Sequence, residues 1–320
     1  ITVPIEGEDA VMAFDWKGKV QWQSRMGKAR GGKHRNGSGA NPSPVTDGKY
    51  IFAYYRSGNF AGLDIKGKVL WKTNLQKRFG ADTLYWDIGT SPVVTEKHAV
   101  IAVIQERGSF LDAFDKKSGE IAWKVARNYE CPTEGDHSYT TPIVVRHEGK
   151  EAIVVWGAER LTLHSAADGK IIWSCAGFNP EKRRNWVTVA SPVIASGVVV
   201  VPYGRGARLA GIKLGGKGDV TETHAVWNLG NENYNRTVST VAIQDGMAPS
   251  PVSTRSYLFI SDVFSQTHPA AIAAGPAEST HSRCGAPAAA SSQTVSRAPC
   301  SSGRVSGATT EIVFPDRSAS

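Results

Sequence analysis

Arginine side chains recur in this chain at positions where they could bind an anionic ligand or an acidic protein surface. Three of them share one register, since each lies seven residues before the apolar residue of a recurring pair: Arg56, Arg107 and Arg205. Gly157 takes that register in one further copy, and Arg160 follows three residues later. Guanidinium groups bind carboxylate and phosphate oxygens through paired N–H donors. We therefore predict a binding role for Arg56, Arg107, Arg160 and Arg205.

Two tryptophans are assigned to the same predicted site, because each lies six residues before the proline of a Ser-Pro pair: Trp86 and Trp186. An alternative stays open, in which the arginines remain solvated or pair with neighbours such as Glu106 and Glu159. No catalytic residue and no metal ligand is predicted. His34, His137, His164 and His224 lack the spacing of metal ligands and are predicted to be loop or turn residues.

A short phrase that ends in tryptophan recurs at a period near fifty residues and indicates the elements that hold these side chains. Successive tryptophans are 49, 52, 50 and 54 residues apart: Trp22, Trp71, Trp123, Trp173 and Trp227. An apolar residue followed by Asp precedes the first three, and in each of the first four copies a glycine lies four residues before the tryptophan. A Ser-Pro or Thr-Pro pair recurs at the same period, from Ser43 to Ser250. Two independent markers at one period indicate a repeat architecture.

Each repeat is predicted to form four β-strands, of which the third carries the apolar-Asp pair and the fourth ends in the tryptophan. The second strands are apolar on both faces, in the segments 49–55, 98–104, 151–156 and 197–201. A strand needs two apolar faces when sheets cover it on both sides. Radial repetition of four-stranded sheets is a β-propeller. The turns between second and third strands and the loops between blades then share one end of the molecule, which we call the loop face.

The phrase A-x-D-x-x-[ST]-G-x-x-x-W resembles the pyrroloquinoline-quinone-type propeller repeat, and the resemblance covers residues 1–262. The family includes quinoprotein alcohol dehydrogenases, the propeller lipoprotein of the outer-membrane barrel assembly machinery, and sensor domains of bacterial serine/threonine kinases. The resemblance implies that the five repeat tryptophans are structural and pack one blade on the next. The fourth and fifth copies depart from the phrase, with Ser165 and Lys213 in place of Asp, so an Asp-specific turn bond is not expected there.

The resemblance favours a noncatalytic scaffold that binds a protein partner or an anionic ligand with the loop face. One alternative is a quinoprotein dehydrogenase that oxidises an alcohol or a sugar with pyrroloquinoline quinone and calcium, and another is a kinase-associated sensor domain. Such dehydrogenases have adjacent cysteines, whereas Cys131, Cys175, Cys284 and Cys300 are far apart. No cofactor is therefore expected outside the dehydrogenase alternative.

The domain organisation is predicted as a propeller over residues 1–263 and a low-complexity tail over 264–320. The tail is rich in Ala, Ser, Thr and Pro, which indicates either disorder or an out-of-frame reading of the gene. The first and last blades are expected to be incomplete. We predict a fragment of a seven- or eight-bladed propeller, and a five-bladed ring is the alternative.

The net charge of +8 includes a basic cluster at 25–35, which is either a solvated loop or a binding patch. A nucleic-acid partner is not expected. The resemblance implies a periplasmic or cell-surface location, with membrane association only through a partner or an N-terminal anchor that precedes this chain.

Overall fold

The computed structural model describes residues 1–35, 37–203, 208–229, 240, 247–249 and 257–259. Consecutive strands pair antiparallel and form successive sheets along the chain, as the sequence predicts for the blades of a β-propeller. The prediction of an all-β propeller is confirmed. Among the described residues there is one helix, of five residues, and no helix long and apolar enough to cross a membrane.

The strand boundaries follow the predicted repeat. The first blade contains β1 (Thr2–Ile5), β2 (Glu8–Phe14) and β3 (Val20–Lys28). The second contains β4 (Val45–Thr46), β5 (Tyr50–Tyr54), β6 (Asn59–Asp64) and β7 (Val69–Asn74), and α1 (Leu75–Phe79) follows. The third contains β8 (Val93–Val94), β9 (His98–Val103), β10 (Phe110–Asp115) and β11 (Ile121–Ala126).

The next two blades are joined by an inserted strand. The fourth contains β12 (Ile143–His147), β13 (Lys150–Gly157), β14 (Arg160–Ser165) and β15 (Ile171–Cys175). The fifth contains β16 (Val193–Ala195), β17 (Val198–Tyr203), β18 (Arg208–Lys213) and β20 (Ala225–Leu229). Between β18 and β20, β19 (Gly218–Asp219) pairs parallel with β15 of the fourth blade. A last hairpin pairs β21 (Met247–Pro249) with β22 (Tyr257–Phe259). The predicted tail, 264–320, lies outside the described residues.

The hydrophobic core lies between neighbouring blades. Every residue of β17 is buried, and β9 and β13 are buried along most of their length, which accounts for their apolar residues on both faces. Phe60 of β6, for example, packs edge-on against Phe114 of β10 at 5.1 Å between ring centroids. Each blade therefore covers one face of the next.

The repeat tryptophans join consecutive blades in the first three copies of the phrase. The indole N–H of Trp71 donates to the carbonyl oxygen of Lys116 in the next blade at 2.9 Å, and Trp22 and Trp123 make the equivalent bonds at 3.2 Å. The turn glycine of the next blade lies against the same indole, so a Cβ atom on Gly119 would overlap Trp71. The spacing from Gly to Trp thus encodes a contact between blades. The prediction that the fourth strand ends at the tryptophan is wrong, since β7 and its equivalents continue beyond it.

The Ser-Pro and Thr-Pro pairs mark a second contact between blades. The backbone N–H of Ser43 donates to the Ser91 hydroxyl at 2.9 Å, that of Ser91 to Thr141 at 3.0 Å, and that of Thr141 to Ser191 at 3.0 Å. The series continues from Ser191 to the hydroxyl of Thr240 at 3.1 Å. The sequence predicts its next marker at Ser250, which lies outside the described residues.

The Asp of the repeat phrase closes the turn between the third and fourth strands. Asp64, for example, accepts hydrogen bonds from the backbone N–H groups of Lys66 and Lys68, each at 2.9 Å. In the fourth blade the hydroxyl of Ser165 accepts one such bond, from Ala167 at 3.3 Å. The bond to an Asp carboxylate is thus absent from the fourth blade, as expected. The turn nevertheless keeps a side-chain acceptor, because a serine hydroxyl also accepts hydrogen bonds from backbone N–H groups.

Candidate functional site

The candidate site is the loop face, where the second strands end, the third strands begin and the fourth strands pass to the next blade. Its turns are residues 55–58, 104–109 and 158–159, and its loops between blades are 29–44, 75–92, 127–142 and 176–192. Antiparallel strand order brings all of these segments to one end of the blades. Side chains at this end are held by rigid sheets, which is the usual arrangement of a binding surface.

An exposed aromatic cluster lies on this face, formed by His34, Tyr85 and Trp86. The rings of His34 and Trp86 are 4.0 Å apart between centroids, and those of Tyr85 and Trp86 are 5.2 Å apart. Tyr85 is 55% exposed and Trp86 41%. Large aromatic side chains are usually buried in a soluble fold, whereas at protein interfaces they carry much of the binding energy.

Buried polar contacts hold the loop that carries this cluster. The Trp86 backbone N–H donates to the Tyr139 hydroxyl at 3.0 Å, and the carboxylate of Asp87 accepts from the backbone N–H of Lys33 at 2.8 Å. The same carboxylate forms an ion pair with Arg56, with 2.7 Å between Oδ1 and Nε. The Arg56 side chain is 7% exposed and also donates to the carbonyl oxygen of Gly31. The structure therefore places Arg56 beneath the loop face, where it positions the loop of Trp86.

Arg107 has a very different environment from Arg56, although both lie in equivalent turns. Its side chain is 91% exposed, and its guanidinium is 3.8 Å from the carboxylate of Glu106. The turn is joined to the loop that carries Trp86, because the Thr83 hydroxyl donates to the Glu106 carbonyl oxygen at 2.8 Å. Arg107 also adopts a left-handed backbone conformation, with φ of 59°. An unburied guanidinium thus lies in the turn next to this loop.

The remaining predicted site residues are divided between the surface and the interior. The Arg160 guanidinium lies over the ring of Tyr129, 4.9 Å from its centroid. Trp186 is buried and packs edge-on against Tyr203 at 5.2 Å between ring centroids. Arg205 lies outside the described residues. The structure leaves Trp86 and Arg107 exposed on two linked segments of the loop face and places Arg56 and Trp186 in buried, supporting positions.

A buried polar network joins the third and fourth blades, and the sequence patterns do not reveal it. Arg127 is fully enclosed, and its guanidinium donates to the carbonyl oxygens of Gly157 and Arg160 at 2.9 and 2.8 Å and to the Thr162 hydroxyl at 3.1 Å. Burial lowers its pKa to about 10. One feature of the sequence could have indicated that Arg127 is buried. It lies four residues after its repeat tryptophan, at the position where the first two blades have buried apolar residues.

The network continues to His164, which is buried in β14 rather than placed in a loop or turn as predicted. Its Nδ1 atom is 2.8 Å from the Gly169 carbonyl oxygen and its Nε2 atom 2.9 Å from the Thr162 hydroxyl. A carbonyl oxygen only accepts, so Nδ1 carries the proton and Nε2 accepts from Thr162. His164 occupies the position that precedes Asp in the first three copies of the repeat phrase, where the residue is apolar. An uncharged imidazole is therefore compatible with this buried position.

The burial of His164 predicts a specific dependence of stability on pH. Burial lowers the pKa of His164 from 6.5 to about 4. The hydrogen bond to Gly169 opposes this shift, and the positive charge of Arg127 adds to it. The unfolded chain therefore binds a proton that the folded chain does not, and stability falls as the pH is lowered through this window. The loss expected from this residue is about 3 kcal/mol in total.

A His164→Leu variant carries the residue type found at this position in the second blade, and it has no imidazole to protonate. Its free energy of unfolding should therefore fall less than that of the unaltered protein as the pH is lowered from 6.5 to about 4. Urea unfolding of both proteins at several values between pH 7.5 and pH 4 measures it. An identical pH slope in the two proteins would contradict the assignment.

The described residues contain no group of three or more His, Cys, Asp or Glu side chains placed to hold a metal ion, and Cys131 and Cys175 are free thiols. The dehydrogenase alternative stays a prediction from the repeat resemblance.

The sequential four-stranded sheets and the Trp–Gly contacts between them define a β-propeller of pyrroloquinoline-quinone-like repeats. The model of the family described as outer membrane protein assembly factor BamB matches residues 7–262. The chain belongs to this family, which confirms the resemblance inferred from the repeat phrase.

The solved structures that match this chain are distant in sequence. BamB from Moraxella catarrhalis is 13% identical with a TM-score of 0.48, and the match covers 78% of this chain and 68% of that one. The computationally designed protein Ika8 is 9% identical with a TM-score of 0.46, covering 77% and 65%. The quinohemoprotein alcohol dehydrogenase from Comamonas testosteroni is 12% identical with a TM-score of 0.43, covering 66% and 40%. This chain thus spans less than half of that enzyme. No curated protein matches the sequence.

Proposed function

We propose that this protein is a noncatalytic propeller scaffold that binds a protein partner through the aromatic cluster and Arg107 on its loop face. Membership of the BamB family supports a role in the assembly of outer-membrane proteins and a periplasmic or cell-surface location. The partner is then a protein of the assembly machinery or one of its substrates.

The observation that carries the proposal is the exposure of two large aromatic side chains on a loop that buried contacts hold rigid. Tyr85 and Trp86 expose much of their ring area, while the next residue, Asp87, is buried and paired with Arg56. A rigid aromatic side chain loses little conformational entropy on binding, so its burial in an interface is favourable. Arg107 adds a guanidinium that can pair with a carboxylate of the partner.

A site-specific photocrosslinking experiment tests the proposal and has a natural control in the same chain. Trp86 lies on the loop face, whereas Trp16 is fully exposed in a turn at the opposite end of the first blade. A photoreactive phenylalanine analogue at position 86, expressed in the native host, should give one discrete crosslinked protein, and the analogue at position 16 should not.

Binding of the identified partner to purified protein then measures the contribution of the face. We expect the combined variant Trp86→Ala and Arg107→Glu to weaken binding by about tenfold or more, because an aromatic anchor and a charge are both removed. Trp16→Ala should bind as the unaltered protein does. The same crosslinked proteins at both positions, or unchanged affinity of the combined variant, would refute the proposed face.

A further inference from the structure

A groove of about 660 Å³ separates the first and second blades on the loop face. The end of β3 and the residues after it form one wall, and the end of β7 and α1 form the other. Four cationic side chains line it, two from each blade: Lys28, Arg30, Lys72 and Lys77. None of the lining residues is acidic. Its volume is that of a site for a ligand of nucleotide size.

Most of the positive charge that lines the groove has no ion-pair partner among the described residues. Lys28, Lys72 and Lys77 are exposed and form no ion pair with the part of the chain that the structure describes. Arg30 is the exception, at 3.5 Å from the carboxylate of Asp82. Three lysines from two blades therefore line a common space, and no described residue forms an ion pair with them.

Three carboxylates on the loop-face side of these two blades are already paired with other cationic groups. Glu6 and Glu8 bind the guanidinium of Arg25 at 2.7 and 3.0 Å. Asp82 binds Lys33 at 2.5 Å. They are therefore not free to turn towards the groove without breaking these pairs.

The strand that forms the first wall is irregular at the groove. Asp9 pairs with Gly27 but Ala10 pairs with Arg25, so Met26 is the extra residue of a β-bulge. Gly27 has φ of 137°, in the region that favours glycine. Bulges of this kind redirect side chains and are common beside binding sites.

The groove also contains polar side chains in fixed positions. The buried carboxylate of Asp9 accepts hydrogen bonds from the Ser57 hydroxyl and from the Asn59 amide, the latter at 2.8 Å. Both of these donors line the groove. Burial raises the pKa of Asp9, opposed by these two hydrogen bonds, so its negative charge is less favoured than that of an exposed carboxylate.

We propose that this groove is a binding site for a small molecule that bears phosphate groups. Lysine ammonium groups bind phosphate oxygens as point charges, and several lysines around one space can contact the several charged oxygens of a phosphate chain. A bound ligand would contact both blades, and it would therefore hold the junction of the first and second blades together. The site is separate from the aromatic cluster and does not depend on the proposed protein partner.

Calorimetric titration of the full chain with inorganic tripolyphosphate at low ionic strength tests the site. We expect saturable binding, and we expect the Lys28→Gln and Lys72→Gln double variant to weaken it by about tenfold or more, because two charge-assisted contacts are lost. The control is Lys17→Gln with Lys19→Gln. It makes the same change in net charge in an exposed turn at the opposite end of the first blade, and it should bind as the unaltered protein does.

Three outcomes would overturn the proposal: no saturable binding to the unaltered protein, an equal loss of affinity in the control variant, or binding of citrate as tight as that of tripolyphosphate. A second measurement needs no variant. Amine acetylation followed by mass spectrometry should show that tripolyphosphate protects Lys28, Lys72 and Lys77 but not Lys17 or Lys19. Equal protection at both ends of the blade would also contradict the site.

Discussion

Replacement of Arg127 by methionine is expected to destabilise the folded protein by about 3 to 5 kcal/mol. The side chain is buried without a carboxylate partner, and its charge is held by carbonyl oxygens of the next blade at Gly157 and Arg160 and by the Thr162 hydroxyl. Methionine is found at the equivalent position of the first blade, as Met26, so it suits the apolar surroundings. It cannot donate, however, so the carbonyl oxygens of Gly157 and Arg160 would lose these bonds in the interior.

The matched control is Arg160→Met. Both guanidinium groups lie over the ring of Tyr129, at 5.2 Å for Arg127 and 4.9 Å for Arg160, but only Arg127 is fully enclosed. Urea denaturation should therefore show a loss below about 1 kcal/mol for Arg160→Met. A similar small loss for Arg127→Met would mean that other donors satisfy these carbonyl oxygens. Because Thr162 links Arg127 to His164, the effects of Arg127→Met and His164→Leu should not be additive.

Replacement of Gly119 by alanine is expected to cost about 2 to 4 kcal/mol, through two separable effects. The glycine has φ of 69°, a conformation that costs any other residue roughly 1 to 2 kcal/mol. Its Cβ position is also occupied by the indole of Trp71 from the preceding blade. The substitution would therefore separate the second and third blades and weaken the bond from Trp71 to Lys116.

Gly149 provides the control for the backbone effect alone. It has φ of 77°, and nothing lies within 4 Å of its Cβ position. Gly149→Ala should therefore show only the conformational cost, of about 1 kcal/mol. Equal losses for the two variants in urea denaturation would mean that the contact between glycine and tryptophan contributes nothing to the stability of the blade junction.

Much of the architecture could be predicted because the same residue types make the same contacts between blades in successive repeats. The tryptophan and the turn glycine recur because the indoles of Trp22, Trp71 and Trp123 each contact a turn glycine of the next blade. The hydroxyl of the Ser-Pro pair recurs because each accepts a backbone bond from the preceding blade. Periodicity therefore reports contacts between blades as well as strands, and the fold class follows from it.

The candidate site was only partly predictable, because equivalent positions in a repeat need not have equivalent surroundings. Arg56 and Arg107 occupy the same register, yet Asp87 binds the first in the interior while the second remains in solvent. The basic groove was also not apparent, since Lys28 and Lys72 are far apart in sequence and belong to different repeats. Only the packing of one blade on the next brings them together.

Taken by itself, the amino-acid sequence determined the repeat, its period and the propeller fold, and it predicted a binding role for one end of the blades. These properties depend on local patterns of apolar residues, glycine and tryptophan, which each blade repeats. The tertiary structure decided which polar groups are free and which are paired: Arg127 and His164 are enclosed in a buried network, whereas Trp86 and the groove lysines face solvent. The physical reason is that burial and charge pairing depend on neighbours from the adjacent blade, and no periodic pattern within one blade encodes them.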